Sequence, residues 1–142
     1  MSENSSPEMS KSAVTVYACS GCSDAGELAD RVARQLACEG AAQMSCLAGI
    51  GGRVKSLMSK AQLAERILVI DGCPLSCAKH TFELAGFKNF EHLGLQEIGL
   101  RKNSCPVNEE SISKGVAAAK KIIERAEGTE NAVTITKPVQ AA

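Results

Sequence analysis

Arg66-Ile67-Leu68-Val69-Ile70-Asp71, followed by Gly72-Cys73-Pro74, is the stretch on which the reading of this chain turns. Four consecutive large aliphatic residues with no polar alternation mark a strand buried on both faces. Such strands belong to parallel sheets covered by helices. Pro suits the first turn of a helix, where its missing N–H costs nothing. The sequence therefore predicts a strand over 66–71 and a helix from Pro74 to about Ala85, stopped by Gly86.

The same alternation extends in both directions. Upstream, Ala13 to Ala18 is a short β-branched run, and Cys19-Ser20-Gly21-Cys22 follows it. Asp24 can cap a helix, with Glu27 three residues on as its capping-box partner. Leu28, Val32 and Leu36 recur at helical spacing, and Gly40 ends that helix. Gln43 to Leu47 reads as a second, weaker strand, then Ala48-Gly49-Ile50-Gly51-Gly52, then a helix over Arg53–Ala64 with Val54, Leu57 and Met58 on one side. Downstream, Phe90–Glu97 reads as a fourth strand. Asn108 or Ser111 starts a last helix, along which Ile112, Val116, Ala119, Ile123 and Ala126 form an apolar stripe.

Strands alternating with helices pair in parallel through right-handed crossovers. The expected fold is α/β, a three-layer sandwich on a small, mostly parallel four-stranded sheet, flavodoxin- or Rossmann-like. Strand order 2-1-3-4 is the simplest doubly wound choice. Residues 1–12 read as a polar, Ser-rich leader, 13–127 as one domain, and 128–142 as a flexible tail in which Val133–Ile135 could form a short edge strand.

Composition narrows the function. The 142 residues carry 16 basic and 16 acidic side chains, no Trp, one Tyr and three Phe. A neutral, aromatic-poor chain lacks the basic surface and the stacking platforms used to bind nucleic acid. Its apolar runs fall far short of the roughly 20 residues that span a bilayer, and the leader has no apolar core of a secretory signal. A cytoplasmic protein is expected. Thiols stay reduced there, so the seven cysteines call for a role other than disulfides.

On the predicted frame, Cys19 and Cys22 follow strand one, Cys46 ends strand two, and Cys73 and Cys77 follow strand three. The carboxyl ends of parallel strands share one edge, which is where such sheets bind ligands. Cys19-x-x-Cys22 can grip one ion from a tight turn. Cys73, read as a helix cap, and Cys77 one turn later can face the same side, and helix N-termini favour thiolates. Four thiolates would enclose one Zn²⁺. The competing reading is that free Cys packs as a small apolar group. It suits Cys38, near the carboxyl end of the first helix, and Cys105, in the loop after strand four. Cys46 fits either reading.

Other residues carry weaker signals. His80 shares the helix face of Cys73 and Cys77 as an accessory ligand or a partly exposed side chain, and His92 reads as surface. Asp71 is either an acceptor for turn N–H groups or a loop-facing carboxylate. Gly49-Ile50-Gly51-Gly52-Arg53 is similar to phosphate-binding loops but lacks their spacing, and reads as a tight turn. No Ser-His-Asp set or carboxylate pair stands out.

Ile70-Asp71-Gly72-Cys73-Pro74-Leu75-Ser76-Cys77-Ala78-Lys79 resembles the signature of the DGC-domain family, named for its Asp-Gly-Cys triplet. Cys19-Ser20-Gly21-Cys22-Ser23, leading into Gly26-Glu27-Leu28-Ala29, resembles a second stretch of that family, and Met44–Gly52 a third. The resemblance runs from about Val14 into the last helix. It implies a zinc-binding domain whose chelating cysteines are Cys19, Cys22, Cys73 and Cys77, with Cys46 matching a further family cysteine. It supplies no reaction.

Three functions compete on these grounds. The first is a cytoplasmic zinc-binding protein, with metal handling or thiol-based sensing as its use. The second is a thiol-disulfide oxidoreductase or sulfur carrier using Cys19 and Cys22, although the motif lacks the usual internal Pro. The third is an iron–sulfur electron-transfer module, because four-cysteine sets also hold clusters.

Overall fold

The computed structural model describes residues 12–128. Ten elements follow one another: β1 (Val14–Ala18), α1 (Asp24–Cys38), β2 (Gln43–Met44), α2 (Leu47–Gly51), α3 (Lys55–Leu63), β3 (Arg66–Asp71), α4 (Cys77–Leu84), β4 (Glu91–Gly94), a 3-10 turn (Leu95–Ile98) and α5 (Glu109–Gly128). The sheet is entirely parallel in the order β2-β1-β3-β4. The expected α/β class and strand order are both observed. The leader and the tail, with Val133–Ile135, lie outside the described residues apart from their inner ends.

β1 and β3 are central and buried on both faces, which explains their unbroken apolar sequences. On one face α1 buries Leu28, Val32 and Leu36, one turn apart, and packs along α5. Each such side chain contributes about 1.5–3 kcal/mol as it leaves water. On the other face α4 covers the sheet, and the Phe82 ring meets Tyr17 of β1 edge-on at 4.7 Å between centroids. α2 packs on α4.

Several boundaries differ from the sequence reading. β2 keeps only two residues, because the chain turns into α2 at Cys46, and the stretch read as a Gly-rich turn is largely this helix. Arg53 takes a left-handed φ of 58° just after it. Its guanidinium donates to the Ile50 and Leu84 carbonyls, tying the end of α2 to the end of α4. The segment is a capped helix end, not an anion loop. α3 buries only Ala61, and Val54, expected on its apolar side, precedes it half-exposed. β4 stops at Gly94, where the chain tightens into the 3-10 turn. α5 starts after Asn108, whose side chain accepts from the Ser111 N–H while the Ser111 hydroxyl accepts in return.

Both ends of the described chain lie at the amino edge of the sheet. The Ser12 hydroxyl donates to the Ala41 carbonyl just before β1. Arg66, the first residue of β3, donates to the Ile123 carbonyl near the end of α5 and pairs with Glu91. Among the described residues, no helix is long and apolar enough to cross a membrane.

Candidate metal and thiol site

The carboxyl edge is organised by two loops at the switch point between β1 and β3. The first continues β1. Cys19 donates its N–H to the Ile70 carbonyl at 2.9 Å, which carries the strand direction one residue further and leaves the thiol buried. Gly21 then folds back, and its N–H points at the Cys19 sulfur. Cys22 is exposed. α1 is capped by Ser23, not by Asp24 as the sequence suggested: the Ser23 hydroxyl accepts from the Gly26 N–H at 3.1 Å. The shorter hydroxyl reaches the helix while the Asp24 carboxylate turns away. It accepts from the N–H groups of Ala25 and Asn103, each at 2.8 Å, and of Cys105 at 3.3 Å.

The second loop is Gly72–Ser76. The helix expected from Pro74 begins only at Cys77. Ser76 donates to the Cys73 carbonyl in a turn, and takes a left-handed φ of 49°. The reason lies in Asp71, buried at the end of β3. Its carboxylate accepts from the Ala78 and Lys79 N–H groups at 2.8 and 2.9 Å, so a residue outside the helix caps it and sets its first turn. Of the two readings of Asp71, acceptance of N–H groups is the one observed. Cys73 thus lies in the turn rather than at the cap, and Cys77 opens the helix.

His92 belongs to this arrangement rather than to the open surface. Its Nε2 lies 2.8 Å from the Asp71 carboxylate, and its side chain is 21% exposed. Nothing local to either residue hints at this bond, because it exists only once β4 pairs with β3 in register. His80 is exposed on α4, beside Glu83.

The two loops touch through glycine. A Cβ on Gly72 would sit 2.1 Å from the Ala25 carbonyl oxygen, and one on Gly26 2.8 Å from the Gly21 carbonyl oxygen. Only bare backbone lets the first turn of α1 and both cysteine loops pack this closely. In consequence the Cys19 thiol is pushed above its ordinary range, first by burial and further by the negative potential of Asp71, Cys77 and Cys73; the Gly21 N–H partly offsets this.

The structure therefore brings Cys73 and Cys77 into electrostatic reach of Cys19. Cys46 joins Cys19 and Cys77 on the walls of an open groove of about 860 Å³. Cys22 lines a neighbouring hollow with Ser23 and Asp24. The donors are thiols of the kind zinc takes. Among the described residues, however, no three Cys, His, Asp or Glu side chains are already gathered as a metal cage. Cys38 is exposed in the last turn of α1 and does not pack as expected. Cys105 is buried, and its thiol is raised by burial and by the adjacent Asp24 carboxylate.

Two further features escaped the sequence reading. The buried hydroxyls of Tyr17 and Ser45 lie beside each other and have no other hydrogen-bond partner among the described residues. Burial raises the Tyr17 phenol, the Ser45 hydroxyl lowers it in part, and Cys46 adds a raising potential. Arg34 and Lys60 also line the groove. Arg34 is held by Asp30 at 2.6 Å, whereas Lys60 has no ion-pair partner among the described residues.

Comparison with known proteins gives two findings. The family model of the DGC domain matches residues 15–119. The anaerobic and virulence modulator AnvM of Pseudomonas aeruginosa (strain PAO1) is 45% identical over 87 residues, a stretch covering 61% of this chain and 66% of that relative. No solved structure matches.

Proposed function

The chain belongs to the DGC domain family, and on that premise we propose that it is a zinc-binding protein of the cytoplasm that handles metal or senses through its thiols. Cys19, Cys22, Cys73 and Cys77 hold the ion, and Cys46 stands beside them. The observation that carries this reading is that Cys73 and Cys77, on one segment, lie within electrostatic reach of Cys19, on another, at the switch point of the sheet. Cys22 and Cys77 are exposed, so their side chains are free to turn toward a common ion. Zinc supplies a closed tetrahedral centre that ties the two loops together. The name of the relative, anaerobic and virulence modulator, fits a site whose thiols respond to oxidation.

Elemental analysis and absorption spectra of anaerobically purified protein test the proposal. One equivalent of zinc is expected, lost on replacing any of the four cysteines by Ser and kept in Cys46→Ser. Less than about half an equivalent of tightly held zinc sinks it, and a band near about 400 nm points instead to an iron–sulfur cluster. The dithiol reading of Cys19 and Cys22 has less support. Burial raises the Cys19 thiol and so disfavours the thiolate that attacks a disulfide, whereas a bound zinc ion would itself displace that proton.

A further inference from the structure

Asp71 is only 1% exposed, at the carboxyl end of β3 and immediately before the Gly72–Ser76 turn. A buried carboxylate is costly unless donors surround it. Two of its donors are backbone groups of α4: the Ala78 N–H reaches Oδ1 and the Lys79 N–H reaches Oδ2. The third comes from another strand. His92 Nε2 lies 2.8 Å from the same Oδ2. One oxygen is thus shared between the helix and the ring, and His92 holds the atom that holds Lys79. The pairing is set by register. His92 lies opposite Val69 on β3, two residues before Asp71, so both side chains leave the sheet on the face that α4 covers.

Local sequence favours a different start for α4. Pro74 would open the helix earlier and draw Cys73 into its cap. The observed start leaves Ser76 at a left-handed φ of 49°, which is unfavourable for a residue with a Cβ. The Asp71 carboxylate holds the chain there, and His92 keeps that carboxylate in place. What the pair fixes is the spacing between Cys73 in the turn and Cys77 at the head of the helix. We propose that His92 is a positioning residue for the zinc site: through Asp71 it holds the first turn of α4, and so sets where Cys77 stands relative to Cys73. The proposal rests on the zinc reading above and deepens it. His92 touches no ion and acts only through Asp71.

The test uses the full chain, purified anaerobically, and times zinc release to a chromogenic chelator. His92→Leu is expected to release zinc about tenfold faster than the parent protein. Phe90→Leu is the control. It loses a ring contact with Phe82 just before β4 but none of the Asp71 hydrogen bonds, and should release zinc at the parent rate. In an Asp71→Asn background, His92→Leu should add nothing further. The ring proton of neutral His92 belongs on Nε2, because a carboxylate only accepts, and nitrogen-15 spectra of the imidazole read that tautomer. Parent-rate release from His92→Leu overturns the proposal. So does equal acceleration by Phe90→Leu, a His92→Leu effect that persists in full in Asp71→Asn, or a proton on Nδ1. Should His92→Leu not fold, His92→Ala takes its place. Absence of zinc from the parent protein sinks the zinc reading instead. Amide exchange at Ala78 and Lys79 in the metal-free chain then decides the placement of Cys77: faster exchange in His92→Leu supports it, and parent-like exchange overturns it.

Discussion

The α-carbon of Gly72 and the carbonyl of Ala25 meet backbone to backbone: a methyl group on residue 72 would lie 2.1 Å from the Ala25 oxygen. The Asp-Gly-Cys triplet is thus a packing device as well as a thiol carrier. Neither side of this junction is a flexible side chain, so an added Cβ forces the two cysteine loops apart. Gly72→Ala is expected to lose about 3 kcal/mol and to weaken zinc retention. Gly51→Ala is the control. Its Cβ would meet only the Thr81 methyl at 3.7 Å, within a helix, and should be neutral or stabilising by about 0.5–1 kcal/mol. Urea denaturation of both variants checks the pair, and equal stability of the two would refute the argument.

Asp71 accepts from two helix N–H groups and from His92 while almost fully buried. Asn at this position keeps one acceptor and turns an amide donor toward another donor. Asp71→Asn is therefore expected to cost about 2–3 kcal/mol and to loosen the first turn of α4, where Cys77 sits. His92→Gln removes only the third partner and should cost less. Faster hydrogen exchange at Ala78 and Lys79 in Asp71→Asn is the local signature. Unchanged exchange there would show that the carboxylate does not hold the helix start.

The Asp24 carboxyl is held below its ordinary 3.8, first by the Asn103 N–H and then by those of Ala25 and Cys105. The sign follows from linkage. A depressed folded value gives stability that is present above the ordinary value and lost as pH falls through the folded one. Glu39, lowered chiefly by its bond to Lys120, acts in the same direction. Stability should fall as pH drops from about 5 to about 2, and Asp24→Asn should flatten that fall. A profile identical to that of the parent protein would exclude Asp24 as a contributor.

Cys105 and Cys38 should differ sharply in reactivity. Burial and the neighbouring Asp24 carboxylate raise the Cys105 thiol, so little thiolate exists near neutral pH. Cys38 is exposed on the last turn of α1. Alkylation followed by peptide mapping is expected to modify Cys38 well before Cys105. Asp24→Asn, which removes the adjacent charge, should speed Cys105. Comparable rates in the parent protein would contradict the assignment.

Much of this architecture was legible because the chemistry of a central parallel strand is written locally. The run from Ile67 to Ile70 has no polar alternation, and Gly40 and Gly86 both adopt the left-handed φ expected after a helix. Placement of Cys19, Cys22, Cys46, Cys73 and Cys77 at one edge followed from strand ends alone. What sequence could not reach were groups joined across long separations. The Asp24 bond to Cys105 spans 81 residues, and the Asp71 bond to His92 spans 21. The start of α4 was misplaced for a different, local reason. Pro74 is a sound signal for a first turn, but the Asp71 carboxylate caps the N–H groups of Ala78 and Lys79 from outside the helix and sets its start at Cys77. The meeting of the Tyr17 and Ser45 hydroxyls left no trace in the sequence, since each residue alone is ordinary on a buried strand or its end.

The amino-edge position of Ser12 and Ile123 has a practical consequence for anyone who tethers this domain. A surface linker or fused reporter joined at residue 12 or at the end of α5 starts from the side of the sheet opposite the site thiols. Immobilised through either position, the domain would present its cysteine edge outward. Capture and electrode formats are therefore natural ways to display it.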